Sequence, residues 1–190
     1  MKPHFVISAA LAAFSVLALA QPAATLPEPW MMAGESPQNY EAGVDVDGRG
    51  SGKKGAKYIR QVKGDGKSWG TLMQYFSAAD YRGKRVRFDA DVRTESVGNW
   101  AGLWMRVDSP EKYSSSFYNS QDKPVKGTTA WKRRSVVLDV AADASTISIG
   151  VISAGAGATW IDNLRVEVVG KDVPVDVFPN HRPLPSRPSL

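Results

Sequence analysis

The stretch "NWAGLWMRVDSP", residues 99–110, constrains the fold more than any other part of the 190-residue chain. Every second residue from Ala101 onward is apolar, while the other parity carries Trp100, Trp104 and Arg106. A β-strand points successive side chains to opposite faces of its sheet. The stretch therefore predicts a strand with one face in the core and a second face that carries two tryptophans and an arginine.

The same alternation recurs along residues 30–171, in "VRFDADV", "RSVVLDV", "TISIGVI" and "ATWIDNLRVEVV". Turn signals such as "KGDGKS" and "SAGAGA" separate these segments, and no window of twelve residues has a helical period. Many short alternating strands are typical of an all-β chain, here an antiparallel β-sandwich of the jelly-roll kind. In the last segment Trp160, Leu164, Val166 and Val168 share one parity.

The chain divides into four expected regions. Residues 1–20 combine Lys2, an apolar run and the small-residue pattern Ala18-Leu19-Ala20, which is typical of a secretory signal peptide. That run is shorter than the roughly 20 apolar residues of a membrane helix. The other regions are a Pro-rich linker (21–29), the sandwich (30–171) and a Pro-rich disordered tail (172–190). We therefore expect a periplasmic or secreted protein with no membrane span in the mature chain.

Composition excludes several classes of function. The chain has no cysteine, and its two histidines, His4 and His181, lie outside the predicted sandwich. This excludes Ser-His-Asp and Cys-His triads and histidine-ligated zinc. The net charge of +5 is spread among acidic residues rather than gathered in a stripe, so we expect no nucleic-acid partner. A small polysaccharide-active enzyme using Asp89 and Asp91 is an alternative, and a ladder of cross-strand ion pairs is another reading of the same residues.

The segment "TESVGN" predicts a hairpin turn that pairs the strand "VRFDADVR" with the strand "WAGLWMRV". Such a hairpin would place Arg87 and Asp89 beside Trp100, Trp104 and Arg106. Aromatic rings stack on the apolar face of a pyranose, and charged groups bond its hydroxyls. Contiguous exposed apolar side chains mark an interaction site. The alternative is that a loop or the N-terminal segment covers the tryptophans.

The segments "MQYFSAADYRGKRVRF", "WKRRSVVLDV" and "TWIDNLRVEVV" follow one another in an order that resembles a known family. Over about residues 30–170 the chain resembles carbohydrate-binding-module jelly rolls of the galactose-binding-like superfamily, and it is similar to a group of uncharacterised bacterial proteins with this fold. The resemblance implies a ligand on the concave sheet or at the loop end. On the sheet Tyr118 would join the two tryptophans and the arginine, and Trp69 is the loop-end candidate.

The resemblance also implies a structural calcium ion. Asp162 in "WIDNL" matches the aspartate of the closing strand, and Glu41 and Asp45 near the first strand would supply further oxygens. Calcium takes about six to eight oxygen ligands, from carboxylates and carbonyls alike. The alternative is that Asp162 accepts hydrogen bonds from the backbone of a turn.

Taken together, these patterns predict an exported, non-catalytic, monomeric module that binds a glycan on an aromatic sheet face. The alternative function is an envelope interaction module whose outer face is covered by a partner protein. Fold resemblance alone does not decide between them, because one fold hosts many functions.

Overall fold

The computed structural model describes residues 25–179, except the side chains of residues 112–114. Within these residues the only helices are two short 3-10 turns, Pro37–Asn39 and Ala79–Tyr81, and no helix is long and apolar enough to cross a membrane. The predicted signal peptide lies outside the described residues. The strands are β1 (Met31–Gly34), β2 (Tyr40–Asp45), β3 (Ala56–Gln61), β4 (Trp69–Ser77), β5 (Arg85–Ser109), β6 (Lys112–Tyr118), β7 (Val125–Asp139), β8 (Thr146–Ala154) and β9 (Ala158–Val169).

All strand pairs are antiparallel, which confirms the predicted fold class. The second half of β5 pairs with β8 and β6, and β8 continues to β4 and β1; we call these strands the front sheet. The first half of β5 pairs with β9 and β7, and β9 continues to β3 and β2; we call these strands the back sheet. Strand β5 is therefore shared by both layers of the sandwich.

The hydrophobic core lies between the two sheets. Alternate residues of the front sheet, such as Leu72 and Met105, meet alternate residues of the back sheet, such as Phe88 and Ile161. All four are fully buried. Each sheet thus buries one face by the two-residue period that the sequence shows, and its other face points outward.

Strand β5 runs for 25 residues, so the predicted hairpin is wrong: the segments before and after "TESVGN" do not pair with each other. The chain continues through this segment because Val97 is buried with Ala101 and Val125 in a small apolar cluster. Register shifts between Val92 and Ala101, with Ser96 at a φ of 52°, bend the strand from one sheet into the other.

Strand β9 does not keep the single parity of Trp160, Leu164, Val166 and Val168 along its whole length. Ile161, rather than Trp160, enters the core, while Leu164 and Val166 pack against the core and Val168 is half exposed. A register shift opposite Asp89 and Asp91, with Asn163 at a φ of 50°, supplies the extra residue that reverses the alternation. Trp160 therefore lies on the outer face of the back sheet.

The segment after β9, residues 171–179, packs on the sandwich, so the described part of the predicted disordered tail is ordered. The backbone N–H of Asp176 donates to the carbonyl oxygen of Val137, and the Asp176 carboxylate accepts from the N–H of Val137 at 2.9 Å. Phe178 packs on Tyr118, with ring centroids 5.2 Å apart. These contacts hold the segment along β7 and β6.

Truncation of Leu103 tests the position of the core. The residue is 1% exposed, and we expect Leu103→Ala to lower the free energy of unfolding by about 2–5 kcal/mol through lost burial and a residual cavity. Urea denaturation followed by tryptophan fluorescence measures this change. The matched control is Val168→Ala, half exposed on the back sheet, for which the change should stay within about 0.5 kcal/mol.

A pH dependence follows from the ion pair between β5 and β7. Arg85 donates two hydrogen bonds of 2.9 Å to the Asp139 carboxylate, and together with Lys171 it lowers the pKa of Asp139 to about 2. A lowered folded-state pKa stabilises the fold above the unfolded-state value, about 3.9, and this stabilisation is lost as the pH falls towards 2.

We therefore expect Asp139→Asn to be less stable than the wild type at pH 7, by less than about 1 kcal/mol because the carboxylate is 45% exposed. The difference should shrink as the pH falls below about 4 and vanish below about 2. Thermal unfolding of both proteins at a series of pH values checks this expectation. A stability gap that stays constant from pH 7 to pH 2 would contradict the assignment.

Candidate functional site

The outer face of the front sheet carries the aromatic residues that the sequence singles out. Trp100 and Trp69 flank Ala154 in one row of paired residues, and Trp104 pairs with Gly150 in another row. Residues directly opposite each other in an antiparallel pair point to the same face. The face, called the aromatic face below, is defined by these residues: Trp69, Tyr75, Trp100, Trp104 and Phe117.

Exposure differs sharply across the aromatic face. Tyr75 is 55% exposed, Phe117 39% and Trp69 38%, and Trp100 is half-buried. Among the described residues, Trp69, Tyr75 and Phe117 are the only aromatic side chains that are more than about a third exposed, and all three lie on this face. The face is therefore open to solvent at its margins.

Trp104 lies on the predicted face but is only 6% exposed, so the expectation that its ring is open to a ligand is wrong. Its indole Nε1 donates a 2.7 Å hydrogen bond to Oγ1 of Thr71, two strands away. The ring reaches Thr71 by crossing Gly150, where a Cβ atom would lie 2.8 Å from Nε1. The absence of a side chain at Gly150 thus lets the indole lie flat on the sheet.

Arg106 adds a charged group to this face. Its Nε and Nη2 donate to the Asp108 carboxylate at 3.1 and 3.0 Å, and it pairs across strands with Phe117. The Arg106 side chain is one-quarter exposed. The pair therefore places a guanidinium and a carboxylate beside an exposed ring, which is a suitable arrangement for bonding hydroxyl groups.

Trp69 proves to be part of the same face rather than a separate loop-end site. It begins β4 and lies two strands from Trp100, a separation of about 10 Å. Sequence reasoning missed Tyr75 and Phe117. The signal was present in "WGTLMQYF", where Trp69, Thr71 and Tyr75 share one parity.

Tyr118 does not belong to the aromatic face, which corrects its predicted role in ligand binding. It pairs with Met105, faces the core and is 1% exposed. Its hydroxyl donates to Oδ1 of Asp122 at 2.5 Å, and burial together with this bond raises the pKa of the Tyr118 hydroxyl. The neighbouring residue Phe117 takes the outward position because alternation places it one step away.

Arg87 and Asp89 also lie away from the aromatic face, because the first half of β5 belongs to the back sheet. Arg87 donates to the Glu167 carboxylate through Nε and Nη2, with Nε at 3.0 Å. Asp89 is 8% exposed and lies 3.7 Å from Arg87 and 3.6 Å from Arg133. The cross-strand ladder of ion pairs is therefore the arrangement that these residues form.

Asp91 extends this ladder. It accepts from Nδ2 of Asn163 at 2.6 Å and from Lys53 at 3.3 Å, and these contacts lower the pKa of Asp91. A general acid needs a carboxyl with a raised pKa in an apolar pocket. The contacts of Asp91 instead lower its pKa.

The outer face of the back sheet is covered by the chain itself. The cover loop, residues 46–55, joins β2 to β3 and folds over Trp131 and Trp160. Nε1 of Trp131 donates to the carbonyl oxygen of Ser51 at 3.0 Å, and Arg93 donates to the carbonyl oxygen of Gly50 at 3.0 Å. One sheet face is thus closed by its own loop, and the aromatic face is the open one.

The three carboxylates proposed as calcium ligands do not converge. Glu41 pairs with Arg60 at 2.6 Å, and Asp162 lies 3.6 Å from Nζ of Lys53. Asp45 accepts the N–H of Ser51 at 2.6 Å, and hydrogen bonds from the backbone and side chain of this loop lower the pKa of Asp45 against the effect of burial. Across residues 25–179 no group of three or more potential metal-ligating side chains occurs. These residues do not fit the implied ion, and calcium binding stays a prediction.

Comparison with known proteins places the fold. No protein-family model matches the chain. A curated relative, the uncharacterised helix-turn-helix-type transcriptional regulator YbfP of Bacillus subtilis, is 36% identical over 145 residues. The match covers 76% of this chain and 49% of the regulator, so the chain spans about half the length of the curated relative it matches.

Solved structures share the β-sandwich fold of carbohydrate-binding modules at low sequence identity. The family 22 carbohydrate-binding and catalytic modules of Clostridium thermocellum xylanase 10B, solved with xylohexaose, align with a TM-score of 0.54 at 14% identity, over 78% of this chain and 27% of that one. A protein from Bacteroides thetaiotaomicron described as sugar-binding aligns at 0.52 and 8% identity, over 76% and 90%. The enzymatically active domain of bacteriophage CBA120 tailspike protein 4 aligns at 0.53 and 11%, over 75% and 20%.

Gly150→Ala tests whether the indole of Trp104 lies across Gly150. The added Cβ would collide with the carbonyl oxygen of Leu72 and crowd the indole, so we expect a loss of about 1–3 kcal/mol in the free energy of unfolding. We also expect tryptophan emission at longer wavelength, because the displaced ring meets water. The matched control is Gly98→Ala, where the new Cβ would make only ordinary contacts. Wild-type emission and stability in Gly150→Ala would contradict this arrangement.

Proposed function

We propose that this chain is a non-catalytic binding module that lays an oligosaccharide along the aromatic face. Exposed rings at the margins would stack on the apolar faces of successive sugar units. Arg106 and Asp108 would bond hydroxyl groups at one end of the face. Trp104 would support the neighbouring rings from beneath rather than stack on a sugar, because its indole is buried and hydrogen-bonded to Thr71.

The observation that carries the proposal is the distribution of exposed aromatic side chains. Trp69, Tyr75 and Phe117 remain exposed on one face, although burying each of them would be worth several times the thermal energy. Exposed apolar side chains gathered on one surface mark an interaction site. On the outer face of the back sheet, by contrast, the cover loop shields Trp131 and Trp160 from solvent.

The dimensions of the face favour a chain of sugars over a single one. Trp69 and Tyr75 are separated by six residues of one strand, about 20 Å. Trp69 and Trp100 lie about 10 Å apart across the strands. Rings spaced at these distances would contact different units of an oligosaccharide.

The comparisons support this proposal at the level of the fold. A xylohexaose complex and a protein described as sugar-binding share the sandwich architecture. The pairing of Asp89 and Asp91 with cations supports a non-catalytic role, and the composition of residues 1–20 supports export.

The relation to the Bacillus subtilis regulator is consistent with a ligand-binding role. A helix-turn-helix protein reads DNA with a recognition helix in the major groove. Among the described residues of this chain, each helix has only three residues, so the structure offers no such helix. We propose that the part shared with the regulator is a binding module rather than a DNA reader.

Titration with xylohexaose and with a panel of neutral and acidic oligosaccharides tests the proposal, by calorimetry and by tryptophan fluorescence. We expect Trp69→Ala and Tyr75→Ala each to weaken binding about tenfold or more, because each removes an anchoring ring. Val168→Ala, exposed on the back sheet, is the matched control and should bind as the wild type does.

Failure to bind any oligosaccharide would overturn the proposal. Equal affinity in the wild type and both aromatic variants would overturn the assignment of the face. A protein captured on the aromatic face, in the absence of any sugar affinity, would favour the envelope interaction module instead.

A further inference from the structure

A crevice of about 220 Å³ opens where the loop after β6, strand β7 and the segment 171–179 meet. Its apolar wall is formed by Val92, Leu103 and Val125, all buried. Its polar lining is formed by residues of β7, of the loop and of the segment: Ser120, Lys123, Arg133, Arg134, Ser135 and Asp176. The crevice therefore combines an apolar side with charged and hydroxyl groups, as small-molecule sites do.

Arg134 is the unusual residue of this crevice. It pairs with Ala90, a core residue, so its side chain starts from the inward face of β7. Its Nε is buried and has no hydrogen-bond partner. Every other arginine of the described chain has a protein acceptor within hydrogen-bond or ion-pair distance: Arg49, Arg60, Arg82, Arg85, Arg87, Arg93, Arg106, Arg133 and Arg165.

The neighbouring charges leave Arg134 uncompensated. Asp176, the carboxylate of the crevice, is occupied by Lys123 at 2.9 Å and by the N–H of Val137 at 2.9 Å. Arg133 points to the outer face, where it donates to the carbonyl oxygen of Asn163 at 2.7 Å. A buried donor without a partner costs free energy. Only Nε is buried in this way, and the Arg134 side chain as a whole is partly exposed, so a ligand in the crevice can reach its guanidinium. This crevice therefore holds a guanidinium whose natural complement is an anion.

We propose that the crevice binds the carboxylate of a small hydroxylated acid, of which a uronic acid is the simplest example. The planar guanidinium of Arg134 would hold the carboxylate through two parallel hydrogen bonds. Ser120 lines the same space, and its hydroxyl, which donates to the carbonyl oxygen of Leu103 at 2.8 Å, would accept a hydrogen bond from a hydroxyl group of the ligand. The volume is smaller than a site for a drug-sized ligand, which fits a single small acid.

This site is independent of the glycan proposed for the aromatic face, because none of its polar groups belongs to that face. The proposal also predicts how Arg134 affects the stability of the ligand-free protein. If Arg134 serves a ligand, its replacement by an apolar side chain of similar length relieves the unpaired buried donor. If Arg134 serves the fold, the same change destabilises the protein.

Calorimetry on the full chain with sodium glucuronate, glucose and inorganic phosphate tests the proposal. We expect glucuronate to bind the wild type, glucose not to bind, and Arg134→Gln to weaken glucuronate binding roughly ten- to hundredfold. Arg134→Lys keeps the charge without the paired donors and should recover only part of the affinity. Arg165→Gln, an exposed arginine on the back sheet, is the matched control.

Thermal unfolding supplies the second measurement. We expect Arg134→Met to melt at a higher temperature than the wild type without ligand, and glucuronate to raise the melting temperature of the wild type alone. Absence of glucuronate binding, or unchanged binding in Arg134→Gln, would overturn the site. Phosphate binding as tight as glucuronate binding would overturn the carboxylate assignment, and a lower melting temperature for Arg134→Met would assign the arginine to the fold.

Discussion

Both layers of this protein depend on the backbone hydrogen bonds of one strand, β5, which belongs to the two sheets at once. In its first half the even residues face the core, and in its second half the odd residues do, because the register shifts between Val92 and Ala101 change the alternation. Without that change Trp100 and Trp104 would point inward, and Leu103 and Met105 would point to solvent. The bend therefore decides both the composition of the core and the side chains that the front sheet presents.

The aromatic face has a fixed centre and exposed margins. Trp104 is held by Thr71 and by the space above Gly150, so the middle of the face is flat and rigid. The surrounding rings keep one side in water, and they are anchored on neighbouring strands rather than on loops. A site built on strands loses little conformational entropy when it binds, and such preorganisation favours affinity.

The two-residue alternation was sufficient to predict the fold class, the inward residues of β5, β7 and β8 and the outward side of Trp100, Trp104 and Arg106. It failed where the alternation itself is broken. The bulges around Ser96 and Asn163 turned a predicted hairpin into one strand and placed Trp160 on the opposite face of its sheet from Leu164 and Val166. The residues around Ser96 and Asn163 are typical of turns, so the local sequence does not distinguish a bulge within one strand from a turn between two strands. The burial of Trp104 depends on Gly150 and Thr71, which are distant in sequence, and so alternation within one strand could not reveal it.

The cover loop has a consequence for solubility. The indoles beneath it belong to an apolar cluster on a surface that would otherwise face water, and two of the bonds that hold the loop over this surface come from Trp131 and Arg93. If the loop detached while the rest of the sandwich stayed folded, this cluster would become an exposed apolar patch, and such patches promote association between copies of a chain. The loop therefore keeps this apolar cluster out of contact with other protein surfaces, and that protection depends on the bonds made by ten residues rather than on the packing of the core.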